Sequence, residues 1–261
     1  LSGPGLDPDK PARSVQVARY LHENGVEVVP PLADPYQPGE VELDGRARQV
    51  TAWRYIDEQG RPDPQDPIWG EALGGILLDL HALTPPPGIE LPVWDPVPSG
   101  SAKVETNGGA LDRDVRDWML AEYRRLAAGF NDMDTAQQVI IHCDAHPGNA
   151  FWDGERRRVV LGDLDDISVG PPEVDLAVIA TSAAHIDAAK SVNAQLSRSY
   201  GSDVTTSPHW LMFKRLRELH VLSDVLPQLP ANPLMRREVH RRARNLMAGN
   251  EFDRWIPYSQ L

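Results

Sequence analysis

The chain has 261 residues, 41% of them hydrophobic and 25% charged, which is typical of a globular protein with a large buried core. Its formal net charge of -12 disfavours nucleic acid and anionic membranes as partners; it suits a cationic substrate, although acidity also serves solubility. The single cysteine excludes an intramolecular disulfide, and no apolar run is long enough to span a membrane. We therefore expect a soluble protein of the cytoplasm.

The first fifth of the chain predicts one helix followed by short strands. Apolar residues recur at helical spacing up to Asn24-Gly25, a pair that commonly ends a helix. Further on, Asp44-Gly45 lies between two β-prone runs and predicts a tight hairpin. The predicted elements are a helix over residues 12–24, a strand over 26–32 and a hairpin of 41–43 with 46–56.

Prolines and apolar stripes divide the next part of the chain into loops and helices. Residues 61–67 are rich in proline and predict a loop, whereas 68–83 carry an apolar stripe that predicts a helix. The stretch 84–109 contains six prolines and predicts a long irregular insertion. A second apolar stripe predicts a helix over 111–128.

The most informative segment runs from residue 139 to residue 177. Its first three residues, Val139-Ile140-Ile141, predict a buried strand that ends at a polar loop. Two β-prone runs at 151–152 and 158–161 are joined at Asp153-Gly154, which predicts a second hairpin. The polar parts of the segment read His142-Cys143-Asp144-Ala145-His146-Pro147-Gly148-Asn149, then Gly162-Asp163-Leu164-Asp165-Asp166, then Gly170-Pro171-Pro172-Glu173-Val174-Asp175.

This hairpin would bring the acids after Leu161 back beside the loop that holds Asp144 and Asn149. Carboxylate and amide oxygens are hard ligands of the kind that Mg²⁺ prefers. Phosphoryl transfer needs divalent cations that neutralise phosphate charge, together with a group that aligns the acceptor hydroxyl. We therefore expect Asp144 to orient or deprotonate a hydroxyl. The expected Mg²⁺ ligands are Asn149 and Asp163, with Asp165 as a second-metal or water ligand.

The remainder of the chain predicts helices only. Their expected bounds are 174–184, 187–200, 209–226 and 234–247. The last of them carries five arginines, which we interpret as a solvated face that also complements the helix dipole.

Several motifs of the informative segment resemble known families. His142-Cys143-Asp144 with Asn149 resembles the protein-kinase catalytic loop H-R-D-x-x-x-x-N, and Asp163 lies where the D-F-G aspartate would lie. The His-Pro-Gly-Asn ending and the Asp-Leu-Asp-Asp segment are more similar to the aminoglycoside phosphotransferase family, which shares the kinase fold. The segment from Gly170 to Ala177 is similar to that family's G-D-P-x-x-D-L-A motif.

The resemblance implies an α+β, protein-kinase-like fold with two lobes. Residues 1–57 would be the remainder of a small N-terminal lobe that ends in the hinge strand, and 58–261 a mostly helical C-terminal lobe with the catalytic loop and the substrate site. The implied reaction moves the γ-phosphate of ATP or GTP to a hydroxyl of a small cationic molecule, such as an aminoglycoside-like antibiotic.

The resemblance also suggests roles for four further side chains. Trp53, Tyr55 and Ile56 lie where the family's hinge binds the nucleotide base; the alternative for the two aromatics is an ordinary place in the core. His146 occupies the position of the kinase-loop lysine. It would contact the γ-phosphate or, as an equal alternative, have a purely structural role.

Two features depart from the family pattern. Leu164 replaces the aromatic residue that often follows the metal-binding aspartate. The phosphate-covering hairpin and the strand with a phosphate-binding lysine are also missing, because the nearest lysine, Lys10, lies between prolines in a predicted loop. We expect both elements upstream of Leu1, which would leave an open edge on the small sheet.

Two alternatives remain for the acidic cluster. The missing lysine favours a catalytically impaired, kinase-like binding module that has lost turnover. Alternatively, His142, Asp144 and His146 alternate as H-x-D-x-H and could hold Zn²⁺ in a metallohydrolase. Against zinc, Pro147-Gly148 turns the chain away, and Asn149 and the later aspartates would have no use.

Overall fold

The computed structural model describes residues 9–33, 38–43, 45–131, 133 and 138–261. The chain divides into two compact units. The first consists of Leu1–Val93, Gln137–Asp175 and Ser191–Ser202, and the second of Trp94–Ala136, Leu176–Lys190 and Asp203–Leu261. The lobe boundary expected between residues 57 and 58 stays a prediction.

The described residues form eight α-helices and six short β-strands. The helices are α1 (Lys10–Glu23), α2 (Ile68–Ala82), α3 (Pro96–Asn107), α4 (Arg113–Asn131), α5 (Glu173–His185), α6 (Lys190–Tyr200), α7 (Trp210–Asp224) and α8 (Pro233–Met247). The strands are β1 (Gly39–Leu43), β2 (Arg46–Val50), β3 (Val139–Ile141), β4 (Ala150–Asp153), β5 (Arg158–Leu161) and β6 (Ser168–Gly170).

The strands pair as three separate two-stranded antiparallel sheets, β1–β2, β3–β6 and β4–β5. In the second, Ile140 lies opposite Val169, and both neighbours of Ile140 on β3 are buried. The predicted β4–β5 hairpin is confirmed, with Ala150 opposite Leu161. It returns the chain to the loop after β3, where the Gly162 N–H donates to the Asn149 carbonyl oxygen at 2.8 Å.

The β1–β2 hairpin is also confirmed, with Leu43 opposite Arg46; Asp44, in its turn, lies outside the described residues. Gly45 has φ +69°, a left-handed conformation that glycine adopts at little cost. Among the described residues no third strand joins this sheet.

The second unit has an apolar core made by one face of each of its longer helices. Its α4 contributes Val115, Met119, Tyr123 and Leu126 at helical spacing, as the stripe over 111–128 predicted. Facing residues come from α7 and α8. The buried members there are Leu216, Leu219, Leu222, Met235, Val239, Ala243 and Leu246.

The prediction of an irregular insertion over 84–109 was wrong, because α3 forms inside it. Pro96 is the first residue of this helix, and a proline is tolerated in the first turn because its missing N–H has no intrahelical partner there. Val104 is buried, and Gly100 lies so close to the Tyr123 ring that a Cβ would meet the Oη at 2.5 Å. Close packing against α4 therefore stabilises a helix where the prolines of the sequence had predicted irregular structure.

Two of the predicted strands were also wrong in extent. Residues 26–32 form isolated bridges instead of a strand, one from Val28 to Leu161 and one from Pro31 to Trp53. Pro30 and Pro31 cannot donate backbone hydrogen bonds, so a regular ladder cannot form there. The strand expected over 46–56 ends at Val50, and the remaining residues pair only locally with 30–32.

Gly154 has a different use from the one predicted. The left-handed residue of the β4–β5 connection is Arg157, with φ +53°, whereas Gly154 donates its N–H to the Asp57 carbonyl oxygen at 2.9 Å. A Cβ at Gly154 would meet the carbonyl oxygens of Asp57 and Gln59. The glycine is therefore required by close backbone approach.

No helix in the described part of the chain is both long and apolar enough to cross a membrane.

A tight helix contact lies in the first unit, where α2 meets α6 through glycines. A Cβ at Gly74 would come within 2.6 Å of the Leu196 carbonyl oxygen and 3.0 Å of the Tyr200 nitrogen, both of them backbone atoms. The adjacent Gly75 has only a flexible Ser199 hydroxyl at 3.7 Å. Two neighbouring glycines of one helix therefore differ in whether a methyl group fits.

We expect Gly74→Ala to lower the free energy of unfolding by roughly 1–3 kcal/mol, because overpacking against backbone forces the helices apart. Gly75→Ala is the matched control and should be neutral or stabilising by about 0.5–1 kcal/mol, since alanine favours the helix. Chemical denaturation of the two variants measures both. Equal stability of the two would show that α2 and α6 do not pack this closely.

Candidate active site

The loop after β3 begins with a buried histidine whose two nitrogens have fixed partners. His142 is 1% exposed, and its Nε2 lies 2.8 Å from the Gly162 carbonyl oxygen. Its Nδ1 accepts from the Asp144 N–H at 3.2 Å, so the proton lies on Nε2, which donates to Gly162. His142 therefore joins the loop to the strand end that precedes Asp163.

Asp175 anchors the same loop from α5. Its Oδ2 accepts from the His142 N–H at 2.8 Å, and its Oδ1 from the Cys143 N–H at 2.7 Å. His81 Nε2 lies 3.0 Å from Oδ2, while His81 Nδ1 lies 2.9 Å from the Tyr200 hydroxyl. Burial and then the Asp175 charge raise the pKa of Tyr200 to about 12, so its hydroxyl stays protonated and donates. Asp175 and His81 therefore hold the start of this loop in place.

Two polar side chains of the loop lie beside the Asp144 carboxylate. Asn149 donates its side-chain N–H groups to the Asp144 carbonyl oxygen at 2.9 Å and to Oδ2 at 3.1 Å. His146 Nδ1 accepts from the Gly148 N–H at 2.9 Å, which leaves the proton on Nε2, 3.5 Å from Asp144 Oδ2. The loop therefore orients Asp144 through its own residues.

The acidic segment lies beside this loop in a strained backbone. Asp163 has φ +54° and ψ +55°, the left-handed region that side chains disfavour. Burial, followed by the carboxylates of Asp165, Asp166 and Asp144, raises the pKa of Asp163, and His142 opposes the shift in part. The segment is therefore a cluster of like charges that a cation would relieve.

A cavity of about 480 Å³ in the first unit connects the expected base-binding and metal-binding residues. Trp53, Tyr55 and Ile56 line it together with Asp163 and Asp165. Tyr55 is 84% exposed, so the alternative that it is a core aromatic was wrong. Trp53 is half-buried and donates its indole N–H to the Thr51 hydroxyl at 3.0 Å.

The geometry disfavours the zinc alternative. Both nitrogens of His142 are occupied by backbone groups, so this side chain offers no lone pair to a metal. Over the described residues, no group of three or more histidine, cysteine, aspartate or glutamate side chains is arranged to hold a metal ion. A H-x-D-x-H zinc site therefore does not form.

The oxygens of Asn149 and Asp163 fit a magnesium ion better. The Asn149 amide donates through its nitrogen to Asp144, which leaves its oxygen available to a cation. Asp163 adds a charged oxygen from a carboxylate whose pKa is raised by burial and then by the neighbouring carboxylates. Oxygen donors of this kind, few in number, are how proteins hold Mg²⁺ beside phosphate groups.

The Cys143 thiol offers no nucleophile. Burial, and next the Asp175 carboxylate, raise the pKa of this thiol well above its usual value, so it stays protonated.

Sequence reasoning missed three residues that support the site. Glu58 and Arg61 form an ion pair, and Arg61 reaches the Pro147 carbonyl oxygen of the catalytic loop at 3.0 Å. Lys10, expected in a loop, is the first residue of α1 and pairs with Asp166 at 2.7 Å. Opposite charges three apart in the chain signal the first pair, whereas nothing in the sequence signals the other two contacts.

A sequence profile described as the phosphotransferase enzyme family (APH) matches residues 4–219. The chain belongs to this family. The resemblance inferred from the catalytic-loop motifs is thereby confirmed over most of the sequence, beyond the segment that first indicated it.

Solved structures share the fold of this phosphotransferase at low sequence identity. The amicoumacin kinase hAmiN, in complex with AMP-PNP, Ca²⁺ and Ami, is 13% identical with a TM-score of 0.72, over 98% of this chain and 82% of that one. A microcompartment-associated aminopropanol kinase is 15% identical with a TM-score of 0.70, over 97% and 86%. Spectinomycin phosphotransferase APH(9)-Ia, in complex with ADP and spectinomycin, is 17% identical with a TM-score of 0.59, over 90% and 78%.

These likenesses establish the α+β, kinase-like fold that the motifs implied. No curated protein matches the sequence significantly. The roles of Asp144, His146, Asn149, Asp163 and Asp165, and of the three hinge residues, stay predictions.

Removal of the Asp163 charge should stabilise the protein without its cation. The folded state raises the pKa of Asp163, so ionisation costs stability as the pH rises from the ordinary value of 3.8 through the raised pKa. We expect Asp163→Asn to raise the melting temperature at neutral pH, and the gain to shrink as the pH falls toward 3.8.

Glu155→Gln is the control, because Glu155 is exposed in the β4–β5 connection. Added Mg²⁺ should stabilise the native protein more than Asp163→Asn. An Asp163→Asn protein that melts below the native one at neutral pH would contradict charge repulsion as the cause.

Proposed function

We propose that this phosphotransferase moves the γ-phosphoryl group of ATP or GTP to a hydroxyl of a small cationic molecule. The observation that carries the proposal is the meeting of Asp144, Asn149 and Asp163. Two hydrogen bonds of Gly162 hold the loop and the acidic segment together. His142 Nε2 donates to the Gly162 carbonyl oxygen, and the Gly162 N–H donates to the Asn149 carbonyl oxygen. Family membership supports the reaction class.

Asp144 is the residue proposed to act on the acceptor hydroxyl. Its side chain is 40% exposed, so a substrate can reach it, and Asn149 and His146 present N–H groups to Oδ2. Donors on one oxygen fix the direction of the carboxylate, which is the requirement for aligning a hydroxyl with a phosphorus atom. His146 is then proposed to steady Asp144, and contact with the γ-phosphate is a compatible second role.

Mg²⁺ would be held by the Asn149 oxygen and Asp163, with Asp165 as a further ligand. When bound, the ion supplies neutralisation of phosphate charge. The protein contributes three neighbouring carboxylates in a segment that Gly162 joins to the catalytic loop, so the negative charge is ready before the nucleotide arrives.

The cavity beside Asp163 is the proposed donor site. Its volume of about 480 Å³ is in the range of small-molecule sites, and its lining combines aromatic side chains with the carboxylates of Asp163 and Asp165. Trp53 and Tyr55 offer flat surface to a purine, and the acids lie where phosphates with their cation would be received. Related kinase structures hold AMP-PNP or ADP, which supports a nucleotide as the donor.

A cationic acceptor suits the charge of the protein. The chain carries 38 acidic against 26 basic residues, and several of the acids surround the expected point of transfer. Three structural neighbours are named as a spectinomycin phosphotransferase, an amicoumacin kinase and an aminopropanol kinase. An amino sugar or amino alcohol, including an aminoglycoside-like antibiotic, is therefore the class to screen first.

The decisive test is Asp144→Asn, assayed by nucleotide consumption against a panel of amino-sugar and amino-alcohol compounds. We expect turnover to fall by roughly 10²–10⁴, the usual contribution of a general base, with little change in nucleotide affinity. Loss of both together would instead assign Asp144 to nucleotide binding.

Asp114→Asn is the matched control, because Asp114 is exposed on α4 and the same carboxylate becomes the same amide. Near-native turnover of Asp144→Asn would remove Asp144 from the mechanism. Nucleotide binding by the native protein without consumption on any acceptor would favour a binding module.

A further inference from the structure

Arg61 hydrogen-bonds to the backbone of the catalytic loop on both sides of Asn149, the expected metal ligand. One terminal nitrogen donates to the Pro147 carbonyl oxygen at 3.0 Å and the other to the Ala150 carbonyl oxygen at 3.3 Å. Between these two residues lie only Gly148 and Asn149. The planar guanidinium can span the two acceptors, which a single ammonium cannot do in the same way.

The Arg61 side chain is itself held in place by its neighbours. The Arg61 guanidinium lies 4.6 Å from the centroid of the Trp69 ring, and Trp69 is fully buried in α2 with its indole N–H bonded to the Asp63 carbonyl oxygen at 2.9 Å. Arg61 is also paired with Glu58. A side chain stacked on a buried ring and paired to a carboxylate loses little further freedom when it binds the loop.

Glu58, the ion-pair partner of Arg61, lies at the cavity. Glu58 lines that cavity beside Tyr55 and Ile56, and its Oε1 accepts from the Trp152 N–H of β4 at 3.0 Å. The neighbouring Asp57 carbonyl oxygen accepts from Gly154 at the far end of the same strand. Residues 57–61 are therefore bonded both to β4 and to the loop that precedes it.

We propose that Arg61 is a positioning residue that couples the nucleotide cavity to the metal-binding end of the catalytic loop. It touches no expected reacting group, and it acts by fixing the backbone on both sides of Asn149. The Asn149 amide must stay aligned with Asp144 for both to function, and a shift of the loop would separate the cation from the hydroxyl. This inference rests on the proposed function for its catalytic consequence, although not for its structural content.

The first test is hydrogen–deuterium exchange of the native protein and of Arg61→Ala, without ligand. We expect exchange in peptides that cover residues 146–150 to be at least about tenfold faster in the variant, since those amides lose a fixed backbone. Peptides of α1 should exchange as in the native protein. Arg156→Ala is the matched control, because Arg156 lies in the β4–β5 hairpin that follows the loop and, among the described residues, pairs with the nearby Asp153 at 3.8 Å.

The second test is the dependence of nucleotide binding on Mg²⁺, measured by titration calorimetry and by initial rates. Arg61→Ala should raise the Mg²⁺ concentration for half-maximal binding by about 10–100-fold, the usual effect of losing support behind a metal ligand. The rate at saturating nucleotide should fall more than the nucleotide KM rises. Arg61→Lys should regain thermal stability and recover little of the Mg²⁺ response.

The outcomes separate this inference from the proposed function. Arg61→Ala can be tested even in a protein that phosphorylates no acceptor. Faster hydrogen exchange in its loop, together with a higher Mg²⁺ concentration for half-maximal nucleotide binding, would then support the positioning role of Arg61 and contradict the proposed reaction. Loop exchange equal to that of Arg156→Ala, or full recovery by lysine, would overturn the role of Arg61 whatever the activity. If Arg61→Ala does not fold, Arg61→Lys alone carries the same comparison.

Discussion

The carboxylate of Asp175 is the interaction on which the site depends. It is fully buried, and it accepts hydrogen bonds from two successive backbone N–H groups and lies 3.0 Å from His81. A buried charge is tolerated only with such compensation, and its position in the first turn of α5 adds the favourable end of the helix dipole. Because both N–H groups belong to the start of the catalytic loop, the carboxylate also holds Cys143 at φ +75°, a strained conformation that would otherwise relax.

Once the start of the loop is fixed, its later residues organise one another over short range. His142 fixes Gly162, Gly162 returns a bond to Asn149, and Asn149 orients Asp144. The acid cluster is thereby brought beside the loop at an electrostatic cost, visible in the raised pKa of Asp163. An arrangement that repels itself without a cation is what a cation-dependent reaction would use, since the affinity for the ion includes relief of that repulsion.

Local pattern predicted the parts of this structure that depend on local chemistry. The positive φ of Gly45, the end of α1 at Asn24-Gly25 and the apolar stripe of α4 all follow from backbone preference or from periodicity. The β4–β5 hairpin forms where it was predicted, although Arg157 and not Gly154 takes the left-handed conformation. Prediction failed where a distant contact or a missing backbone donor decided the outcome. Helix α3 forms in spite of its prolines because Gly100 packs against Tyr123. Residues 26–32 pair with other segments only at isolated bridges, because Pro30 and Pro31 have no backbone N–H to donate.

The candidate site divides in the same way. Its charged and polar side chains stand in short motifs, so their meeting could be inferred from one hairpin. Their supports use backbone acceptors: Arg61 binds the carbonyl oxygens of Pro147 and Ala150, 86 and 89 residues away in the chain. Every residue has a carbonyl oxygen, so the residue types at positions 147 and 150 do not indicate that Arg61 binds there. Of the three non-glycine residues with positive φ among those described, two, Cys143 and Asp163, belong to the site. Strain and charge repulsion are thus concentrated at the expected reacting groups, and the anchors that hold them, Asp175 and Arg61, bind the loop through its backbone.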